Sequence, residues 1–410
     1  MNESSTSRGH KGSAVEVLRV FTWLGVTCFG GPIAHLAYFR TELVERRRWL
    51  SERAYADLVG LCQFLPGPAS SKLGVSLGLM RAGYAGGLAA WVGFTAPSAI
   101  LLVLFAYAAG AFSDTAIGLA LFHSLKLVAV AIVAQAVLSM ARALCPDRQR
   151  AAIAVGAAAL VLAVPRSISQ IVAIAFGAML GLSYCRQASE SVPESLHFPV
   201  SRRAGAVSFA AFALLLALSF APAANALVAL FNAFYRSGAL VFGGGHVVLP
   251  LLSEAVVKPG WLGQESFLAG YGAAQAVPGP LFSVAAYMGA VVKPAGGIGG
   301  AAIALVAIFL PGMLLQLAAL PFWGQLRSAL PVQAAMRGIN AAVVGILTAA
   351  LYTPVWTSAV LSKLDFAVAL ASFVLLVVWR APALIVVLFT VVAGTALTLA
   401  VGSGLPVFGN

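Results

Sequence analysis

Charge is what this chain has least of: 25 basic and 13 acidic side chains in 410 residues, 9% charged in all, where soluble domains carry about 25%. That deficit excludes an ordinary soluble domain. Acids inside the apolar stretches are scarce, which argues against a cation carrier, since a cation path needs carboxylates along it. The four cysteines, Cys28, Cys62, Cys145 and Cys185, show no Cys-x-x-Cys spacing and lie in or beside apolar segments. Neither a disulfide framework nor a zinc site is indicated. His35 and His246 have no second His or acid at metal-ligand spacing, so local hydrogen bonding is their reading. No Gly-x4-Gly-Lys-Ser/Thr segment, HExxH or Rossmann glycine pattern is present, and no catalytic residue, metal or cofactor is assigned.

What is abundant is hydrophobicity, at 61% of residues and a mean hydropathy of +0.95. The chain belongs in a lipid bilayer. A formal charge of +12 would suggest nucleic acid in a soluble protein, but here the basic residues sit mainly in short loops beside apolar runs. That is the positive-inside arrangement, and nucleic acid is excluded as a partner.

One pattern occurs twice. The first copy is Phe29-Gly30-Gly31, Glu42, Trp49-Leu50 and Gln63-Phe64-Leu65-Pro66-Gly67-Pro68. The second is Phe242-Gly243-Gly244, Glu254, Trp261-Leu262 and Gln275-Ala276-Val277-Pro278-Gly279-Pro280. From Glu to Trp to Gln the intervals match residue for residue. Duplication in a hydrophobic chain is a signature of transporters that bind substrate between related halves. The expected division is a repeat over 1–185, a linker with one extra span over 186–222, and a second repeat over 223–410.

Apolar stretches predict spans near 84–110, 117–140, 150–164, 169–184, 205–222, 297–320, 332–353, 365–379 and 382–402. Segments 15–28 and 54–65 are too short to cross and end at Gly/Pro turns, so they read as re-entrant hairpins or broken helices. Residues 1–14 resemble the start of a signal peptide, yet the following stretch leads straight into the internal repeat, which rules that out. Arg8 and Lys11 precede the first motif and Arg46, Arg47, Arg48 and Arg53 follow it, which places both flanks in the cytoplasm. A second hairpin at Pro66-Gly67-Pro68 returns Arg81 to that side. Arg142, Arg148, Arg150, Arg186, Arg202 and Arg203 then fall inside, with Arg166 in an outer turn. The lone span 205–222 delivers the second copy inverted: five basic residues lie between Arg40 and Arg53, against Lys258 alone between Leu252 and Glu265. The fold class is an all-α polytopic membrane protein of two homologous halves in inverted topology.

Half-helices that end inside a membrane present unpaired N–H groups and a positive dipole end to anions. Gly30, Gly31, Pro66, Gly67, Gly243, Gly244, Pro278 and Gly279 mark such ends, on helices starting after Pro32, Pro68, Gly245 and Pro280. These are assigned to substrate binding, although close helix packing is also open to such glycines. Lys72, beside Ser70 and Ser71, follows the first Pro-Gly-Pro turn and can bind oxyanion oxygens or be solvated in a loop. Lys126 and Arg337 occupy equivalent places in the repeats, each in or near an apolar span. Each is read as serving a counter-anion or aqueous cavity, or as snorkelling to an interface. Glu42 with Arg46, and Glu254 with Lys258, are read as helix-surface ion pairs.

With Phe29-Gly30-Gly31-Pro32-Ile33-Ala34-His35, Trp49-Leu50-Ser51-Glu52, Gln63 to Ser71, Phe242 to His246 and Gly270 to Pro280, the chain resembles the chromate ion transporter family, long two-domain type. The resemblance covers nearly the whole chain. It implies a bacterial inner-membrane secondary carrier that exports chromate and confers resistance, with sulfate as a structural mimic. Lys72 stands where Gln is expected in many members. The residues alone reach an anion carrier, because chromate and sulfate are both tetrahedral dianions. The alternatives are an importer of sulfate or another oxyanion, coupled to protons or sodium, and a membrane-embedded chromate reductase. A homo-oligomer is compatible with the chain.

Overall fold

A computed structural model describes residues 12–112, 115–164, 167–186, 198–242 and 245–402, and every regular element among them is helical. In the first half these are α1 (Ala14–Thr27), α2 (Gly31–Phe39), α3 (Glu52–Phe64), α4 (Ala69–Phe112), α5 (Ala116–Leu144), α6 (Arg148–Ala163) and α7 (Ser167–Tyr184). Helix α8 (Arg202–Leu218) leads to α9 (Ala226–Ala239), α10 (Val248–Leu252), α11 (Gln264–Ala274), α12 (Val284–Val291) and α13 (Gly297–Ala319). The chain closes with α14 (Trp323–Ser328), α15 (Leu330–Ala350), α16 (Thr357–Ala359), α17 (Lys363–Val377) and α18 (Ala383–Gly402).

Local chemistry sets the ends. Side chains of Ser13, Ser51, Thr115 and Asp147 accept bonds of 2.8–3.1 Å from N–H groups three residues on, capping α1, α3, α5 and α6. Gly30 and Gly31 break the chain between α1 and α2 with φ of 95° and 78°. Helix α4 is itself broken at Ala82 and Gly83, so its second part begins where the predicted span does. Each of the nine predicted stretches holds a helix. Among the described residues four segments, Ala69–Ala111, Ala116–Leu144, Gly297–Leu326 and Leu330–Ala359, are long and apolar enough to cross a membrane.

The motif segments form hairpins with their outer ends together. Arg81, at the end of the second hairpin, pairs with Glu16 at the start of the first at 3.1 Å, and its guanidinium lies 5.3 Å from the centre of the Trp49 ring. Arg40 joins the returning arm of the first hairpin to Glu52 at the start of the second, with bonds of 2.9 and 2.8 Å. The second half repeats this closure: Lys293 donates its N–H to the Trp261 carbonyl at 3.1 Å. Both expected surface pairs form, Arg46–Glu42 at 3.3 Å and Lys258–Glu254 at 3.0 Å.

Fourteen residues of α1 and thirteen of α3 reach only about 20 Å at 1.5 Å per residue, short of the ~30 Å hydrocarbon layer. The hairpins of the two halves meet at their tips. Tips that meet are what two inverted repeats bring together. Around them the halves exchange partners reciprocally: α5 packs on α17 and α18, and α15 packs on α6 and α7.

Candidate functional site at the hairpin tips

Two backbone hydrogen bonds organise the centre. Gly67, inside the first Pro-Gly-Pro turn, donates its N–H to the Val241 carbonyl at 2.7 Å, and Gly279, inside the second, donates to the Cys28 carbonyl at 2.9 Å. Cys28 and Val241 each directly precede a Phe-Gly-Gly motif. Each turn therefore docks on the break of the opposite half. Gly67 lies against Gly312, and Gly279 against Ser98. Ser98 follows Pro97 in α4, and Gly312 follows Pro311 in α13, at corresponding places in the two repeats.

These bonds correct one expectation. The N–H groups of Gly67 and Gly279 are taken by protein carbonyls, so the turn glycines permit the crossing instead of presenting donors to an anion. Gly243 and Gly244 lie outside the described residues. The helices after Gly245 and Pro280 begin as tight single turns, Gly245–Val247 and Leu281–Ser283, and α10 has only five residues. Of the helices that start after Pro68, Gly245 and Pro280, α4 alone starts as a long α-helix.

There the first intrahelical bond runs from Lys72 N–H to the Pro68 carbonyl at 3.0 Å. The N–H groups of Ala69, Ser70 and Ser71 precede it and face the tip. Ser70 and Ser71 are 2% exposed and Lys72 is 1% exposed. The Lys72 ammonium donates to the carbonyls of Leu65 at 2.5 Å and Pro66 at 3.0 Å. No carboxylate pairs with it among the described residues. The buried Ser71 Oγ has no hydrogen-bond partner, and neither has Thr95 Oγ1. Ser70 Oγ meets His35 Nδ1 at 3.4 Å, and Ser98 Oγ meets Ser283 Oγ at 2.6 Å. Lys72 and the unpartnered Ser71 hydroxyl thus lie in the first turn of α4, and among the described residues no carboxylate pairs with Lys72.

Both histidines make local bonds as expected. His35 also bonds the Cys28 backbone, and His246 Nδ1 meets the Tyr271 hydroxyl at 2.8 Å.

Lys126 and Arg337 are each engaged by a group of the opposite half. Lys126 Nζ pairs with Glu265 Oε1 at 2.9 Å, and Glu265 lies in the first turn of α11. The backbone of Leu125, the residue before Lys126, packs against Gly272 near the other end of that helix. Arg337 donates to the Cys185 carbonyl just past α7 at 2.9 Å and to Gln333 Oε1 at 3.3 Å. Each ties its own half to the other. Lys126 is buried to 4% side-chain exposure whereas Glu265 is 69% exposed. Glu265→Gln, which strands a buried ammonium, is expected to cost about 1–2 kcal/mol of stability, and Lys126→Met less than about 1 kcal/mol. Detergent unfolding of the two variants measures the order, and equal losses would contradict it.

Gln316 was not among the candidates. It is fully buried in α13, and its Nε2 donates to Ser76 Oγ at 2.6 Å and Cys62 Sγ at 3.5 Å across the halves, leaving Oε1 without a partner. An amide within an apolar run was the visible signal. Ser98 and Ser283 needed the fold, because a serine in an apolar helix is common and only the crossing pairs them.

A model of the family "Chromate transporter" matches the chain twice, over residues 15–182 and 228–395. A chromate transport protein of Pseudomonas aeruginosa is 29% identical over 341 residues, covering 80% of this chain and 78% of that one. A probable chromate transport protein of Synechococcus elongatus is 26% identical, covering 83% and 84%. A chromate transport protein of Cupriavidus metallidurans is 24% identical, covering 82% and 81%. No solved structure matches.

Proposed function

Because this chain belongs to the chromate transporter family, a family of membrane transporters, we propose that it exports chromate from the cytoplasm across a bacterial inner membrane as a secondary carrier and so confers chromate resistance. The carrying observation is the reciprocal docking of the two Pro-Gly-Pro turns, which leaves Lys72, Ser71 and the N-terminus of α4 as an anion site at the crossing. The anion lies between hairpins entering from opposite faces, so opening one set of arms exposes it to one side. Alternating access follows from rocking the halves about the crossing.

Direction follows from electrostatics. One charge moved through 100 mV is worth roughly 2.3 kcal/mol, so an interior-negative potential drives a dianion outward with about 4.6 kcal/mol. No phosphate-binding loop for ATP is needed. The site recognises a tetrahedral oxyanion by a cation and hydroxyl donors, a chemistry that sulfate shares.

Everted inner-membrane vesicles test the proposal. With an imposed interior-positive potential they are expected to accumulate chromate, and sulfate in excess is expected to inhibit. Sulfate uptake without any chromate uptake would contradict the substrate. Uptake indifferent to potential would contradict the drive.

A further inference from the structure

Among the described residues no acid pairs with the buried Lys72. Its ammonium is held by two carbonyls of its own turn. The equivalent position in the second half is Val284, so the opposing tip offers neither a second cation nor an acid. The groups around it are neutral or distant. Helix α3 brings Cys62, α13 brings Gln316 and α2 brings His35, which is engaged with Ser70. The other charged or ionisable groups on the packed helices stand elsewhere: Glu16 pairs with Arg81 at the outer end, Glu52 with Arg40, and Glu265 with Lys126. Asp57 lies eight residues before Leu65 on α3, about 12 Å along its axis. Tyr287 of α12 donates its hydroxyl to the Ser266 carbonyl.

A buried amine without a counter-charge has two ways to avoid a stranded charge: it accepts an anion or it sheds a proton. Which it does depends on whether the site is filled. We propose that Lys72 takes up a proton as the oxyanion binds and releases it as the anion leaves, so that one proton travels with each dianion, the carrier moves one net negative charge, and the electrical drive is half that of the bare dianion. The proton comes from water on the side from which the anion enters, converting the amine to an ammonium, and returns to water on the side of release. The unpartnered Gln316 Oε1 and Ser71 Oγ are the nearby acceptors through which the site can be wetted. This rests on the oxyanion site argued above.

Titration calorimetry of chromate binding to the purified full chain, in two buffers of different ionisation enthalpy, counts the protons. It is run well above the pKa of hydrogenchromate, so that the added chromate brings no proton of its own. About one proton bound per chromate is expected, with affinity falling tenfold per pH unit. Lys72→Arg, whose guanidinium stays charged, is expected to bind chromate with no proton uptake and a flat pH profile. In proteoliposomes the charge moved per chromate is expected to rise from one to two in that variant. Proton-free binding by the parent chain, or an unchanged proton count in Lys72→Arg, would overturn the proposal and leave the chromate site standing. A parent chain that binds no chromate would remove both.

Discussion

Gly67→Ala is expected to lower potential-driven chromate uptake by about ten- to a hundredfold while the protein still inserts in the membrane. Gly67 sits at φ 95°, where a Cβ costs about 1–2 kcal/mol. That Cβ would also stand 2.9 Å from the Cα of Gly312. Backbone cannot yield as a side chain can, so the turn must move off α13 and lose its bond to Val241. Tenfold corresponds to about 1.4 kcal/mol, and the strain alone reaches that. Gly279→Ala is the milder partner: φ is 101°, but the first obstacle is the Ser98 hydroxyl at 2.9 Å, with the Phe94 carbonyl behind it at 3.1 Å. Its loss is expected to be smaller and partly restored by adding Ser98→Gly. Initial uptake rates per unit of inserted protein measure both. A parental rate in Gly67→Ala would mean that the crossing does not organise transport.

Gly338→Val acts on stability instead. A Cβ at Gly338 would lie 2.0 Å from the Gly177 carbonyl oxygen and 2.6 Å from the Gly181 Cα, and one at Gly177 would meet Gly338 in return. Helices α7 and α15 touch backbone to backbone, as small residues allow in membranes. A branched side chain there is expected to cost about 3 kcal/mol or more, seen as a lower unfolding midpoint in detergent and a smaller folded yield. Gly156→Ala is the control, since nothing lies within 4 Å of its Cβ. There the effect is expected to be neutral or stabilising by up to about 1 kcal/mol. Equal behaviour of the two variants would contradict the close contact.

The fold was legible where a physical constraint acts on sequence directly. Apolar length gave the spans, and the basic residues around Arg46 and Arg81 suggested hairpins; the Arg81–Glu16 pair brings their outer ends together. The site was legible only in part. Pro66, Gly67, Pro278 and Gly279 announced turns, but nothing in one copy says that its N–H groups reach carbonyls of the other, because that bond is a property of the symmetry. Lys126 and Arg337 looked alike as cations in apolar runs. The fold gives them different partners, Glu265 for Lys126 and the Cys185 carbonyl for Arg337, which the hydropathy pattern does not mark. Lys72 was ambiguous for the opposite reason: a loop lysine and a buried one read the same until the turn closes over it.

Anomalous scattering from chromium, measured on crystals of the protein grown with chromate, locates the substrate directly. The chromium peak is expected about 3–4 Å from Lys72 Nζ and Ser71 Oγ, the reach of an oxyanion bonded to both. A peak beside Lys126 or Arg337, with none at the crossing of the two Pro-Gly-Pro turns, would contradict a site built from the hairpin tips.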